Sequence, residues 1–165
     1  MLTLNLAYTS RINPPCTTPL LTRAQIWAGL QRKIRFAQDF VPVIESCAVL
    51  EDNAETGTVT RDVVFKKGLG PKDTAREVVR GFWPSVVDFQ QEDGTHVRNI
   101  ISDGPSGDLD DLHMTYVFEI RLPGVHEGSE EADKEFVRLK AMAKKAVESS
   151  IEAIREMVKD GRISV

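Results

Sequence analysis

One arginine interrupts an otherwise apolar strand face. Arg61 shares that face with Val59, Val63 and Phe65, in a segment that alternates with the period of two typical of a β-strand. A buried guanidinium must be paired, either with a carboxylate of the chain or with a carboxylate or enolate of a ligand. If the strand twists, Arg61 instead forms its pair at the rim of the sheet. Facing inward, Arg61 is a candidate catalytic residue that would stabilise negative charge on an oxygen atom.

A tyrosine and an asparagine repeat this pattern further along the chain. Tyr116 lies between Met114 and Phe118 in the most regular alternation of the sequence, and Asn99 lies in phase with the apolar residues two positions away on each side. A buried phenol hydroxyl needs a partner, which is either a protein group or a ligand. Tyr116 is therefore a candidate catalytic residue, with a purely structural tyrosine as the alternative. Asn99 is a candidate ligand-binding residue.

The orientation of one glutamate decides whether a base is available beside Arg61. Glu77 shares a face with Val79 and Trp83, while the opposite face of the same segment carries two arginines among apolar residues. The pattern therefore leaves open which face is buried. If Glu77 faces inward, it forms a buried pair with Arg61, and a desolvated carboxylate there is a candidate general base.

Metal and nucleotide sites are not indicated. The three histidines, His96, His113 and His126, are scattered and show no metal-binding spacing. Residues 103–111 contain four aspartates but do not match a calcium loop. Residues 68–71 hold a lone G-x-G that reads as a turn, so we expect neither a metal nor another cofactor.

The bulk composition is typical of a globular protein with one core. The chain has 165 residues, of which 41% are hydrophobic and 28% charged, so we expect a single domain over residues 1–165. Its net charge of −4 and the lack of a basic patch argue against nucleic-acid binding. No stretch is apolar enough for a membrane span, and the first residues lack the basic region of a secretory signal. Two cysteines are too few for a disulfide framework, which favours a cytoplasmic location.

The elements that would position these residues follow from the periodicity. Strands are predicted over residues 2–9, 43–51, 58–67, 74–83, 85–91, 96–102 and 112–121. A capping box at Thr22 and Gln25 predicts a helical insert from Arg23 to Phe40, with a short second helix over residues 36–40. We assign the inward face of the first helix to residues 24, 27, 30, 31 and 34. Short connections between the later strands imply antiparallel pairing.

The last element is a long amphipathic helix from Gly128 to Gly161. Ser129 is a suitable N-cap, and the apolar residues recur at spacings of three and four. The middle of this stripe holds small residues, at positions 143, 146 and 150, and larger ones lie towards its ends. Small residues there either permit close packing on the sheet or form the roof of an internal cavity beneath a curved sheet. In the second case we expect residues 136 and 139, and residues 154 and 157, to anchor on the rims of the sheet.

Several segments together resemble one known family. They are residues 20–30, 40–42, 60–65, 99–102 and 114–119. In these segments the chain resembles the AtaL-like family of the SRPBCC (START/Bet v 1-like) superfamily. The resemblance implies an α+β helix-grip fold, with a seven-stranded curved antiparallel sheet, two short helices after the first strand, and a long C-terminal helix over a hydrophobic cavity. It does not imply a fixed reaction.

The resemblance and the residues together predict a ligand site between sheet and helix. Besides the three candidate catalytic residues, the predicted ligand-binding residues are Phe65, Trp83, Phe89, Asn99, Met114, Phe118, Leu139, Ala143, Ala146 and Ser150. We expect a protein of specialised metabolism that binds a hydrophobic small molecule and catalyses a cofactor-independent cyclisation, isomerisation or dehydration. The alternatives are a carrier without chemistry and a protein-interaction module with a filled core. The oligomeric state stays open.

Overall fold

Seven strands form one sheet, which packs against two helices. The computed structural model describes residues 1–165. Its strands are β1 (Leu2–Arg11), β2 (Ile44–Asn53), β3 (Thr58–Phe65), β4 (Thr74–Phe82), β5 (Val86–Gln91), β6 (His96–Asp103) and β7 (Leu112–Leu122). Its helices are α1 (Arg23–Arg35) and α2 (Glu130–Lys159), and a single 3-10 turn spans Ala37–Asp39. No helix combines the length and the apolarity needed to cross a membrane.

The sheet is a meander of β2 to β7, to which the first strand adds at one edge, beside β7. The strand order is β1-β7-β6-β5-β4-β3-β2, and every neighbouring pair is antiparallel, as the short connections predicted. The register of β2 against β3 shifts between Ile44 and Ser46 and again between Val49 and Glu51, and bulges of this kind bend a strand. The predicted helix-grip fold is confirmed.

Helix α1 begins at the predicted capping box, but its inward face differs from the predicted one. Thr22 Oγ1 accepts a hydrogen bond from the Gln25 backbone at 3.2 Å, and Gln25 Oε1 accepts one from the Thr22 backbone at 3.0 Å. The buried positions are 26, 29, 30, 33 and 34, whereas Ala24 is exposed and Trp27 only half-buried. The predicted face was therefore wrong at Ala24. Trp27 and Gln31 are half-buried at its edge, where Trp27 packs against Trp83.

Close contact between the two helices depends on a glycine. An added Cβ at Gly29 would lie 2.5 Å from Cγ1 of Ile154, a residue of α2 that is fully buried. The α1 backbone therefore approaches α2 more closely than any larger residue would allow. This contact fixes where the C-terminal end of α1 enters the space between sheet and α2.

The short second helix expected over residues 36–40 is only the 3-10 turn Ala37–Asp39. Phe36 ends α1 in a non-helical conformation, with φ −133° and ψ 54°. Pro42 then disfavours the α conformation at the residue before it. The chain consequently turns into β2 after one 3-10 turn.

Helix α2 has the predicted cap and an inward apolar stripe. Ser129 Oγ accepts from the Ala132 backbone at 3.1 Å, and three acidic residues follow in the first turn, where they favour the positive end of the helix dipole. Leu139, Ile154 and Met157 are buried as expected. Phe136 is 40% exposed, so the expectation that it anchors on the sheet was wrong. The stripe packs against α1, β1 and β7.

Candidate active site

A small internal cavity lies between the sheet, the end of α1 and the middle of α2. Its volume is about 90 Å³, smaller than the ~300–1,000 Å³ of most ligand pockets. Apolar residues form most of its wall: Val41, Val43, Ile44, Phe65, Pro71, Phe89, Val97, Phe118, Ile120, Met142 and Ala146. Polar residues gather on the strands and on α1: Lys33, Arg61, Glu77, Gln91, Thr95, Asn99 and Tyr116.

Most of the predicted site residues line this cavity. All three candidate catalytic residues do, and so do five of the predicted ligand-binding residues: Phe65, Phe89, Asn99, Phe118 and Ala146. Four others are buried in the surrounding core and do not reach it: Met114, Leu139, Ala143 and Ser150. The hydroxyl of Ser150 instead donates to the Ala146 carbonyl at 2.7 Å, within the helix.

Trp83 is not in the site, which corrects its assignment. It is 65% exposed, and its ring meets that of Trp27 edge to face with 5.6 Å between the ring centroids. Glu77 and Val79 do face inward, so the alternation holds within β4. Trp83 lies one residue beyond the end of that strand, where the turn into β5 breaks the period of two.

Arg61 and Glu77 form the buried pair considered from the sequence. Arg61 Nε and Nη2 donate to Glu77 Oε2 at 2.8 and 2.6 Å, and both residues are about 95% buried or more. The Nη1 atom of Arg61 donates to the backbone carbonyls of Lys33 and Ile34, at 3.0 and 2.7 Å. These carbonyls belong to the last turn of α1, which has no partners for them within the helix. Arg61 therefore binds the end of α1 to the sheet.

The second oxygen of Glu77 is also occupied. Gln91 Nε2 donates to Glu77 Oε1 at 2.8 Å, while Gln91 Oε1 has no protein partner. The three donors on Glu77 thus occupy both of its carboxylate oxygens. The ion pair therefore supports the cavity wall. Among Arg61, Glu77 and Gln91, the acceptor without a protein partner is Gln91 Oε1.

A lysine that the sequence analysis missed completes the polar wall. Lys33 is 5% exposed, and its Nζ donates to Asn99 Oδ1 at 2.8 Å and to Tyr116 Oη at 2.9 Å. Burial lowers the pKa of Lys33 well below its ordinary value, the positive charge of Arg61 lowers it further, and Glu77 opposes them. Its spacing of seven residues from Ile26 was the signal available, because those positions share a helix face.

Tyr116 and Asn99 supply hydrogen-bonding groups to the same wall. Burial raises the pKa of Tyr116 above its ordinary value and outweighs the opposite effect of the nearby Ser150 hydroxyl, so the phenol stays neutral over the usual pH range. Asn99 is 1% exposed, and its Nδ2 has no protein partner. A buried amide hydrogen without a partner is rare, and it is a ready donor for a ligand oxygen.

The mouth of the cavity lies between α2 and the connection from β3 to β4. Phe65, Pro71 and Met142 line the cavity and are partly exposed. Arg138 of α2 donates to the carbonyls of Leu69 and Gly70, both at 3.2 Å, and so fastens this connection to the helix. Nowhere do three His, Cys, Asp or Glu side chains come close enough to hold a metal ion.

Comparisons with known proteins agree with this architecture. A family model described as "AtaL: Acetylaranotin biosynthesis cluster protein L" matches residues 6–161. Acetylaranotin biosynthesis cluster protein L of Aspergillus terreus is 28% identical over 162 residues, which cover 96% of this chain and 92% of that protein.

Two solved structures share the fold. The Zhui aromatase/cyclase from Streptomyces sp. R1128 superposes with a TM-score of 0.63 at 14% identity, over 96% of this chain and 94% of that one. The di-domain aromatase/cyclase BexL from the BE-7585A biosynthetic pathway gives a TM-score of 0.63 at 15% identity, over 94% of this chain and 50% of that one. At these identities the likeness concerns the fold.

Proposed function

Since this chain belongs to the AtaL family, we propose that it acts in the biosynthesis of a specialised metabolite, as a cofactor-independent cyclase of a small carbonyl-bearing substrate. Residues 1–165 would act as one domain. The family relative is by name a biosynthesis cluster protein, and two proteins with this fold are by title aromatase/cyclases. Fold alone does not imply a reaction, so the proposal depends on the chemistry of the cavity.

One observation carries the proposal: hydrogen-bonding groups converge on one wall of an otherwise apolar cavity. Tyr116, Asn99 and Lys33 are joined by hydrogen bonds of 2.8 and 2.9 Å, and Asn99 Nδ2 still has no partner. A carbonyl oxygen placed against Asn99 Nδ2 and Tyr116 would be stabilised as it gains negative charge on enolisation. Arg61 adds positive charge behind these groups, while Glu77 holds Arg61 in place.

The apolar walls would supply the second requirement of cyclisation, which is a folded substrate. Phe89 and Phe118 line the sheet side, and Ala146 lines the helix side. Holding two reacting carbons of one chain close together removes much of the entropic cost of ring closure. With about 90 Å³ available, the cavity favours a short substrate, or one that displaces Met142 at the mouth.

The test uses heptane-2,4,6-trione, which closes to orcinol by an intramolecular aldol reaction with loss of water. We expect the protein to accelerate orcinol formation, and Tyr116→Phe to lower kcat by about 100-fold, the usual effect of removing one donor to a developing oxyanion. Tyr8→Phe is the matched control, because the Tyr8 hydroxyl bonds only to Glu148 and Lys144 and does not line the cavity. Absence of both binding and conversion of the trione contradicts the proposal.

A carrier without chemistry is the second candidate. It is favoured by the Arg61–Glu77 pair, whose donors and acceptors are used by the protein itself and need no substrate. In that case the trione binds without conversion, and Tyr116→Phe weakens its affinity only. Binding measured by NMR chemical-shift changes, beside the orcinol assay, separates the two candidates.

A further inference from the structure

Lys33 is a buried amine without a counter-ion in contact. Its Nζ touches the neutral Asn99 and Tyr116, and the carboxylate on the same wall, Glu77, is held by Arg61 and Gln91. Removing an ammonium from water is unfavourable. The aromatic rings of Tyr116 and Phe89, with centroids 4.1 and 5.6 Å from Nζ, offset only part of that cost. Burial therefore lowers the pKa of Lys33, which favours the neutral amine.

The two hydrogen bonds of Lys33 Nζ also match the number of donors on a neutral amine. Such an amine has two hydrogens, and Nζ has two acceptors, Asn99 Oδ1 and Tyr116 Oη. Its lone pair then remains for an electrophile in the cavity, which Lys33 lines. Beside it, Asn99 Nδ2 has no protein partner and is placed to bind a carbonyl oxygen.

We propose that Lys33 is a nucleophile that forms a covalent iminium with a ketone of the substrate, and that the substrate is a 1,3-dicarbonyl compound. This rests on the proposed function, because it assigns the chemistry of the same cavity. A lysine desolvated in an apolar pocket next to another cation is activated in this way, and Arg61 is that second cation. Arg61 also binds the Lys33 carbonyl at 3.0 Å, and so holds the residue in place.

The reaction balances without an oxidant or reductant. The Lys33 lone pair forms a C–N bond to the ketone carbon, the carbonyl π bond breaks, and one proton passes from the nitrogen to the oxygen. The nitrogen lone pair then expels this oxygen as water, which takes one proton from solvent and leaves an iminium. Loss of an α-proton returns that proton to solvent and gives an enamine, whose carbon attacks a second carbonyl of the same chain and closes the ring as that oxygen takes up a proton. Water finally hydrolyses the iminium and restores Lys33.

Acetylacetone is the probe, because an amine and this diketone form an enaminone that absorbs in the near ultraviolet. With the whole protein at neutral pH, we expect one adduct per chain, with a mass gain equal to acetylacetone less one water. Peptide mapping of the wild-type protein should place the adduct on Lys33. Lys33→Met should lose it completely. Lys144→Met, which changes a lysine on the outer face of α2, should retain it.

The outcomes separate this inference from the proposed function. Orcinol formation by wild-type protein with no adduct on Lys33 overturns the inference and leaves the cyclase intact. An adduct on Lys33 without trione conversion supports the inference and contradicts the cyclase. Adducts confined to surface lysines also overturn the inference. Because the map is made on wild-type protein, the result does not depend on whether Lys33→Met folds.

Discussion

The polar residues of the cavity wall fall into two groups by their contacts. Arg61, Glu77 and Gln91 bind one another and the end of α1, so they hold the wall in shape. Lys33, Asn99 and Tyr116 bind one another along the cavity, and Asn99 Nδ2 still has no protein partner. The first group should therefore determine stability, and the second should determine binding and turnover.

Removing Arg61 tests the supporting group. Arg61→Met leaves the Glu77 charge buried and the last carbonyls of α1 unpaired, so we expect a loss of about 3 to 5 kcal/mol in the free energy of unfolding. The double variant Arg61→Met/Glu77→Leu should recover part of that loss, since no charge is then stranded. Urea unfolding of both variants measures this. A single variant as stable as wild type would show that the pair does not support the fold.

Lys33 should make stability depend on pH. Because burial lowers the pKa of Lys33, the folded state releases a proton that the unfolded state keeps until about its ordinary value of 10.5. Stability should therefore rise as pH rises towards that value, by up to about 1.4 kcal/mol per pH unit. Arg61, Glu77 and Tyr116 are the other ionisable groups that face Nζ.

The variant Lys33→Met isolates this effect, because it removes the titrating group and keeps most of the volume. We expect the stability of wild type relative to Lys33→Met to increase between about pH 7 and pH 10, measured by urea unfolding at each pH. Parallel stability curves for the two proteins would mean that Lys33 stays protonated in the folded state. That result would also weaken its assignment as a nucleophile.

At the scale of elements, each helix has a separate role at the cavity. Helix α1 places Lys33 in the wall, and its position depends on the Gly29 contact with Ile154 and on Arg61 at its end. Helix α2 forms the roof with Ala146 and Met142 and holds the β3–β4 connection through Arg138. If the cavity binds a ligand as proposed, we expect its entry to depend on the contact between α2 and that connection.

Arg138→Met should loosen the mouth without unfolding the protein. The side chain is partly exposed and its contacts are two backbone carbonyls and Glu135, so we expect a stability loss of at most about 1 kcal/mol. Amide hydrogens of residues 66–73 should exchange faster. Lys134→Met is the control, because Lys134 pairs only with Glu130. Equal exchange in both variants would show that Arg138 does not hold the connection.

At the scale of the whole molecule, sheet and helix enclose a cavity that is small but not filled. Two alanines of α2, one turn apart, differ in what they face: Ala146 lines the cavity, whereas Ala143 lies in the packed core. A larger side chain has space at the first position only, since overpacking a filled core costs typically 1 to 3 kcal/mol.

Ala146→Leu should therefore abolish trione binding and leave the free energy of unfolding within about 1 kcal/mol of wild type. Ala143→Leu makes the same chemical change in packed core, and we expect it to destabilise the protein by about 2 kcal/mol or more. Thermal unfolding and NMR titration of the two variants give the comparison. A large stability loss from Ala146→Leu would show that the roof is packed and that no ligand space exists.

The sequence by itself determined the order and type of the strands and of the two α-helices, although not the 3-10 turn after α1. The periodicity of strands and helices depends only on residues two to four positions apart in the chain. The bounds of β7 and α2, and the Ser129 cap of α2, were therefore predictable within a few residues. The inward faces of β3 and β7 followed from the same alternation. The resemblance added the helix-grip fold, which the sheet order confirms.

Only the tertiary structure decided which polar groups meet and how much space they enclose. Lys33 lies 66 residues from Asn99 and 83 from Tyr116, and the choice between the two faces of α1 depended on Trp27 packing at the rim. Trp83 lies outside the cavity because β4 ends one residue before it, so the alternation of inward and outward residues stops there. Such contacts depend on how the sheet bends and on how far the helices lie from it, and so does a cavity of about 90 Å³. The local periodicity of the sequence carries no information about either quantity.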